Sequence, residues 1–249
     1  MTSAYLNKVV PTYIENWPDA MMALSIPQSD IRLSLIEAKA FYLMVERGSQ
    51  TCDDADSAIE KLRLEFSRAL SRFPDGAFVR LGSRSGKDSE FALAHGLRVT
   101  IAEEAVQMLT SKSRRLAFDL RLAIKFGYQP HVFVREWREI PPWAEFRCFM
   151  KNRQLAGISQ YDCKNVGHHN WISDNANQIK HAISIFFDKF SGISHLDDVV
   201  FDIYLSRGGS KDDSLEVTLL EINPYFHHTD PCLFKWQDED DFDGSFRFL

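Results

Sequence analysis

Apolar positions recur first at helical spacing and later at strand spacing. Ile31, Leu35, Ala38 and Tyr42 share one helix face, with Ser29 or Asp30 as the predicted cap and Gly48 as the stop. Ile59, Leu62, Phe66, Ala69 and Phe73 define a second helix. A Ser57–Glu60 capping-box pattern opens it, and the turn Pro74-Asp75-Gly76 closes it. Residues 77–81 (AFVRL) read as a short apolar strand interrupted only by Arg80, and the polar loop GSRSGKDS follows. Thr100 and Glu103 form another capping-box pattern, opening a helix through Leu109; a further helical stretch covers 114–126. Gly127 and Pro130 separate it from the strand HVFVREW.

Beyond Pro141-Pro142 the pattern alternates. Residues 145–150 and 155–160 are the arms of a hairpin turning at 151–154. A helix over 173–190 presents Ile179, Ala182, Ile183, Phe186, Phe187 and Phe190 as a wide apolar face. Two β-rich runs, 199–205 and 215–222, flank the polar loop 206–214 and form a second hairpin. The first thirty residues, punctuated by Pro11, Pro18 and Pro27, read as irregular. Helices first, then mostly antiparallel strands, make the class α+β rather than doubly wound.

The 249 residues are enough for one large domain or two lobes around a cleft. The formal net charge of -6 argues against bulk electrostatic binding to nucleic acid. No apolar run approaches the roughly 18–20 residues of a membrane-spanning helix, and residues 1–18 lack a signal-peptide pattern. Cys52, Cys148, Cys163 and Cys232 are scattered, which predicts reduced thiols in a cytosolic protein.

Chemistry concentrates in the second hairpin. Glu221 and Asn223 point to one face, roughly 7 Å apart along the strand, and the hairpin brings Asp202 across from them. Two carboxylates and an amide oxygen suit Mg²⁺, which completes its shell with water and phosphates. The loop GSRSGKDS is not a Walker motif: three residues, not four, separate Gly82 from Gly86, and Asp88 follows Lys87. Arg80 and Lys87 are candidate point charges for phosphate, against a bland reading of a solvated, flexible loop. Glu145 and Arg147 share a strand face, either as a structural ion pair or with Arg147 as a phosphate fork. Backbone groups around Arg135 and Glu136 would bracket a purine edge, unless this is an ordinary strand end. His168-His169 and His227-His228 lack zinc-motif spacing, and no GxSxG is present.

The blocks FVREWREIPPWAEFRCFMKNRQLAGISQYD, VVFDIY and LLEINPYFHHTDPCLFKW together resemble the cell division cycle protein 123 family, a divergent branch of the ATP-grasp superfamily. The resemblance runs from about Phe78 to Trp236 and implies a two-lobed ATP-grasp fold clamping Mg–ATP, with lobes over 1–130 and 131–249. By position it implies metal ligation by Asp202, Glu221 and Asn223, with Glu221 where eukaryotic members usually have Asp. It implies nucleotide contacts from Arg80 and Lys87, and from Arg147 and Gln160 lining the same cleft. Val132, Phe133, Val134 and Arg135 would form the hinge beside the adenine.

Two activities are compatible with the resemblance. The first expectation is an ATP-dependent ligase that activates a carboxylate as an acyl phosphate, with Arg147 and Lys87 stabilising the transferring phosphoryl group. The alternative is a nucleotide-dependent assembly chaperone, since eukaryotic members bind the gamma subunit of translation initiation factor 2. The expected ligands are ATP and Mg²⁺, with a protein partner or peptide substrate besides and neither membrane nor nucleic acid.

Overall fold

Ser34 and Glu37 begin the first long helix. The Glu37 amide donates to Ser34 Oγ at 3.2 Å and the Ser34 amide donates to Glu37 Oε2 at 2.7 Å, a reciprocal capping box. Lys61 Nζ donates to the other Glu37 oxygen at 2.8 Å. The computed structural model describes residues 3–47, 53–164, 170–208 and 214–249. Gly48, Cys52, the His168-His169 pair and most of loop 206–214 lie outside them.

The chain divides into a central unit, residues 27–138, and a split unit of residues 1–26 with 139–249. The expected division at 130/131 is corrected because the strand after Pro130 belongs to the sheet of the central unit.

The central unit contains β1 (Gln28–Arg32), α3 (Leu35–Arg47), α4 (Asp53–Leu70), β2 (Ala77–Leu81), α5 (Glu90–His95), β3 (Arg98–Val99), α6 (Ala102–Thr110), α7 (Arg114–Phe126) and β4 (His131–Glu136); α1 (Ser3–Val9) and α2 (Asp19–Met22) precede it. Its antiparallel sheet has the order β1-β4-β2-β3. Ser29 and Asp30 therefore lie in a strand, not at a helix cap, and Ser57 lies inside α4. Glu104, not Glu103, caps α6: its Oε2 accepts from the Thr100 amide at 2.7 Å and from Thr100 Oγ at 3.1 Å. Val79, Leu81, Val132 and Val134 face the helices and join a core with Phe41, Leu62, Phe66 and Leu116. Period-two alternation puts Phe78, Arg80, Phe133 and Arg135 on the opposite face.

The loop over 82–89 is docked rather than flexible. Arg84 Nε donates to Asp119 Oδ2 at 3.0 Å. Ser113 Oγ and the Arg115 amide donate to the two oxygens of Asp88 at 2.6 and 3.1 Å. Burial pushes the Asp119 carboxyl up, although Arg84 and Ser83 oppose it.

The split unit continues with β5 (Glu145–Lys151), β6 (Gln154–Gln160), α8 (Asn170–Asp174), α9 (Ala176–Ile193), β7 (Val199–Arg207), β8 (Leu215–Pro224) and β9 (Phe246–Arg247). The sheet order is β8-β7-β5-β6-β9, antiparallel except for the β6–β9 pair. α9 covers one face through Phe186, Phe187 and Phe190, which surround Phe201; the Phe190 and Phe201 centroids are 4.4 Å apart. On the other face Phe149 meets Phe234, Trp236 and Phe242 edge-on. Gly157 permits that packing, since a Cβ there would lie 2.5 Å from the Phe234 ring. The first residues are not irregular filler: the Leu219 amide donates to Leu24 O at 2.9 Å, and Ser25 Oγ donates to Leu219 O at 2.8 Å. Among the described residues, no helix is long and apolar enough to cross a membrane.

Candidate functional site

Cross-strand register assembles a polar row in the split unit. Arg147 on β5 stands opposite Ser159 on β6 and Asp202 on β7, and Asp202 stands opposite Glu221 on β8. Residues directly opposite share a sheet face, so Ser159, Arg147, Asp202 and Glu221 line up on the face away from α9. The neighbouring row, Cys148 with Ile158, Phe201 and Ile222, points the other way and packs as core. A register shift between Asp202 and Ile203 leaves Leu220 as the extra residue beside Glu221.

Arg147 is 5% exposed and Asp202 1%. Their contact is bidentate: Nε to Oδ1 at 2.7 Å and Nη2 to Oδ2 at 2.7 Å. Nη1 donates to the Asp230 carbonyl at 2.8 Å, and the guanidinium lies 5.0 Å from the Tyr161 ring centroid. Burial alone would lower the Arg147 pKa; the charge and hydrogen bonds of Asp202 outweigh it and hold it well above its ordinary value. Burial, and then the Asp202 charge, push the Tyr161 hydroxyl up. Burial would also raise Asp230, but the Cys232 amide and Lys164 hold it below its ordinary value.

Arg147 therefore differs from the sequence expectation. The sequence predicts a phosphate fork or a partner of Glu145, yet its fork is engaged with Asp202 and its remaining arm with the Asp230 carbonyl. The physical reason is burial: a desolvated guanidinium needs a desolvated anion beside it. Gln160 departs further. Its register with Phe146 puts it on the α9 face, away from Arg147. There its Nε2 donates to Asp162 O at 2.9 Å and its Oε1 accepts from the Leu249 amide at 3.1 Å.

The donor set is compatible with Mg²⁺. Glu221 and Asn223 are partly buried neighbours, with Asn223 Nδ2 donating to Glu221 Oε1 at 3.1 Å. Both Asp202 oxygens accept from Arg147, and a carboxylate offers about four lone-pair sites in all. Two carboxylates and an amide oxygen on adjacent strands form the hard-oxygen set that Mg²⁺ takes.

The other candidates lie in the central unit. Arg80 and Arg135 are 4% and 2% exposed, on the sheet face away from the helices, with Phe133 opposite Arg80. Arg80 Nε donates to Leu81 O at 3.0 Å. Lys87 is exposed on the docked loop. The hinge expectation fails for its backbone. β4 lies between β1 and β2, so the peptide groups of Val132, Phe133, Val134 and Arg135 are paired on both sides, and the side chains of Val132 and Val134 are core. An unforeseen β1 fills the edge that a purine would need.

Sequence reasoning missed Ser159, Tyr161 and Asp230 as neighbours of Arg147. Asp230 lies 83 residues from Arg147, and no local pattern links them.

A family model described as D123 matches residues 42–244. The translation initiation factor eIF2 assembly protein of Xenopus laevis is 38% identical over 108 residues, 43% of this chain and 30% of that protein. Its counterpart in Dictyostelium discoideum is 34% identical over 198 residues, 74% of this chain and 48% of that protein. The matched stretches thus span less than half the length of these two relatives. The solved structure of Cdc123 from Schizosaccharomyces pombe has a TM-score of 0.77 at 22% identity, covering 99% of this chain and 97% of that one, and it shows the same fold.

Proposed function

The chain belongs to the D123 family, and from that premise we propose that it is a Mg–ATP-binding assembly protein for a translation initiation factor. The observation that carries the nucleotide part is the Arg147–Asp202–Glu221 row, with Asn223 beside it. In this reading Asp202, Glu221 and Asn223 hold Mg²⁺, and Arg147 holds Asp202 in position. On the central unit, taken by itself, Arg80, Lys87 and Arg135 are the candidate positive charges for nucleotide phosphate. Bound Mg²⁺ would offset phosphate charge. The ATP-grasp fold implied by the sequence blocks accords with this use of the residues.

The assembly part is supported by the relatives, which are named for eIF2 assembly and not for ligation. ATP is then a ligand of the assembly-competent protein rather than the first substrate of a ligation. The compartment that goes with this role is the cytosol.

The test is calorimetric titration of Mg–ATP into the wild type and into Glu221→Gln and Asn223→Ala, both at partly exposed positions. A loss of roughly tenfold or more in affinity is expected for each variant. Unchanged affinity in both would remove the metal assignment. Incubation with purified subunits of translation initiation factor 2 then separates the activities. Nucleotide-dependent co-elution with ATP intact supports assembly, whereas steady release of ADP or AMP would return the protein to the ligases.

A further inference from the structure

We propose that a basic groove on the central unit, between α3 and the start of α7, is a docking site for an acidic segment of a protein partner. The groove has a volume of about 360 Å³. Tyr42 and Phe118 are partly buried in its wall, and Lys112, Arg114 and Arg121 stand exposed around it. Among the described residues Glu46 supplies the acid on its rim, so cations prevail among the described charged groups that line it. Asp119, within α7, does not offset them: it is buried and paired with Arg84 at 3.0 Å.

Charge complementarity names the occupant. The whole chain carries a formal net charge of -6, yet this groove collects three exposed cations. A cationic rim around an aromatic wall suits a peptide that offers carboxylates around one apolar or aromatic anchor. Arg121 and Arg84 each approach the Phe118 ring, at 5.9 Å from its centroid. The ring is therefore held in a cationic setting rather than left as bare apolar surface. The volume is at the low end of the roughly 300–1,000 Å³ of ligand pockets, so only a short stretch of chain enters. A nucleic acid would instead call for an extended track of cations along its phosphates. The inference is independent of the nucleotide reading, because the groove shares no residue with that set.

Fluorescence anisotropy with a labelled peptide of Asp and Glu around one Trp tests it. The full chain is expected to bind the peptide, and Arg114→Ala/Arg121→Ala to bind it roughly tenfold more weakly. Arg114→Lys/Arg121→Lys should retain binding, and Lys151→Ala, on the split unit, should be indistinguishable from wild type. Replacing the peptide Trp by Ser should weaken binding, which a purely electrostatic contact would not show. Circular dichroism melts confirm that each variant is folded. Absence of binding, equal loss in Lys151→Ala, or unchanged affinity in the double alanine variant would overturn the proposal. Tighter binding of oligouridylate, lost in the same double variant, would overturn it in favour of nucleic acid.

Discussion

Arg147 and Asp202 meet fork to fork across β5 and β7, with both N–O distances at 2.7 Å and both side chains buried. A desolvated pair of this kind contributes little over a well-packed apolar pair, but removal of one partner strands the other charge. Asp202→Ala is expected to destabilise the split unit by about 3–5 kcal/mol. Arg147→Met/Asp202→Leu should recover most of that loss. Urea unfolding of the three proteins checks the prediction, and equal losses in the single and double variants would refute it.

Gly157 sits under the Phe234 ring where a Cβ would come within 2.5 Å of it. Phe234 has nowhere to retreat, because Phe149, Phe242 and the Arg247 guanidinium surround it. Gly157→Ala should cost about 1–3 kcal/mol by overpacking. A thermal melt indistinguishable from wild type would show that the ring can move aside.

Much of this fold is legible in sequence, for reasons that differ by element. Residues 77–81 declare themselves as a short apolar run and both hairpins by paired β-rich arms around polar turns, and their strands form within a few residues of the expected limits. β1 does not, because Gln-Ser-Asp-Ile-Arg holds a single large apolar residue and owes its extended form to pairing with β4. That pairing is also what closes the backbone of Val132–Arg135. The candidate site is legible as a list of residue types but not as a set of contacts. Arg147 and Asp202 lie 55 residues apart, and only the placement of β5 beside β7 joins them.

Glu104 provides a pH handle. The Thr100 amide bond, first among several hydrogen bonds, holds its carboxyl below the ordinary range despite partial burial. The native state therefore gives up this proton at lower pH than the unfolded chain. Its stabilisation is complete above the unfolded value of about 4.3 and is lost as pH falls through the lower native value. Glu104→Gln should cost about 1 kcal/mol at neutral pH through the weakened cap, and its stability should fall less steeply below about pH 4. Urea midpoints across that range are the measurement, and parallel acid limbs would refute the linkage.

Asp88 anchors the loop that carries Lys87 through bonds from Ser113 and the Arg115 amide. Asp88→Ala should release the loop from the start of α7 and cost about 1 kcal/mol. Hydrogen exchange at the amides of residues 83–89 should accelerate while that of β2 stays unchanged. Unaltered exchange in the loop would mean that Arg84 and Asp119 suffice to hold it.

The split unit has a consequence for the order of folding during synthesis. The central unit is contiguous, so all of its strands exist once residue 138 has been made. Ile14, Trp17 and Met21, made earlier, belong to the split unit and are buried in the finished protein, and Leu24 and Ser25 bond to Leu219. These early residues must wait, with apolar side chains uncovered, while nearly two hundred more residues are added. The nascent chain thus carries an unsatisfied hydrophobic segment ahead of a domain that can already fold, which makes this segment the place where a ribosome-associated chaperone would have work to do.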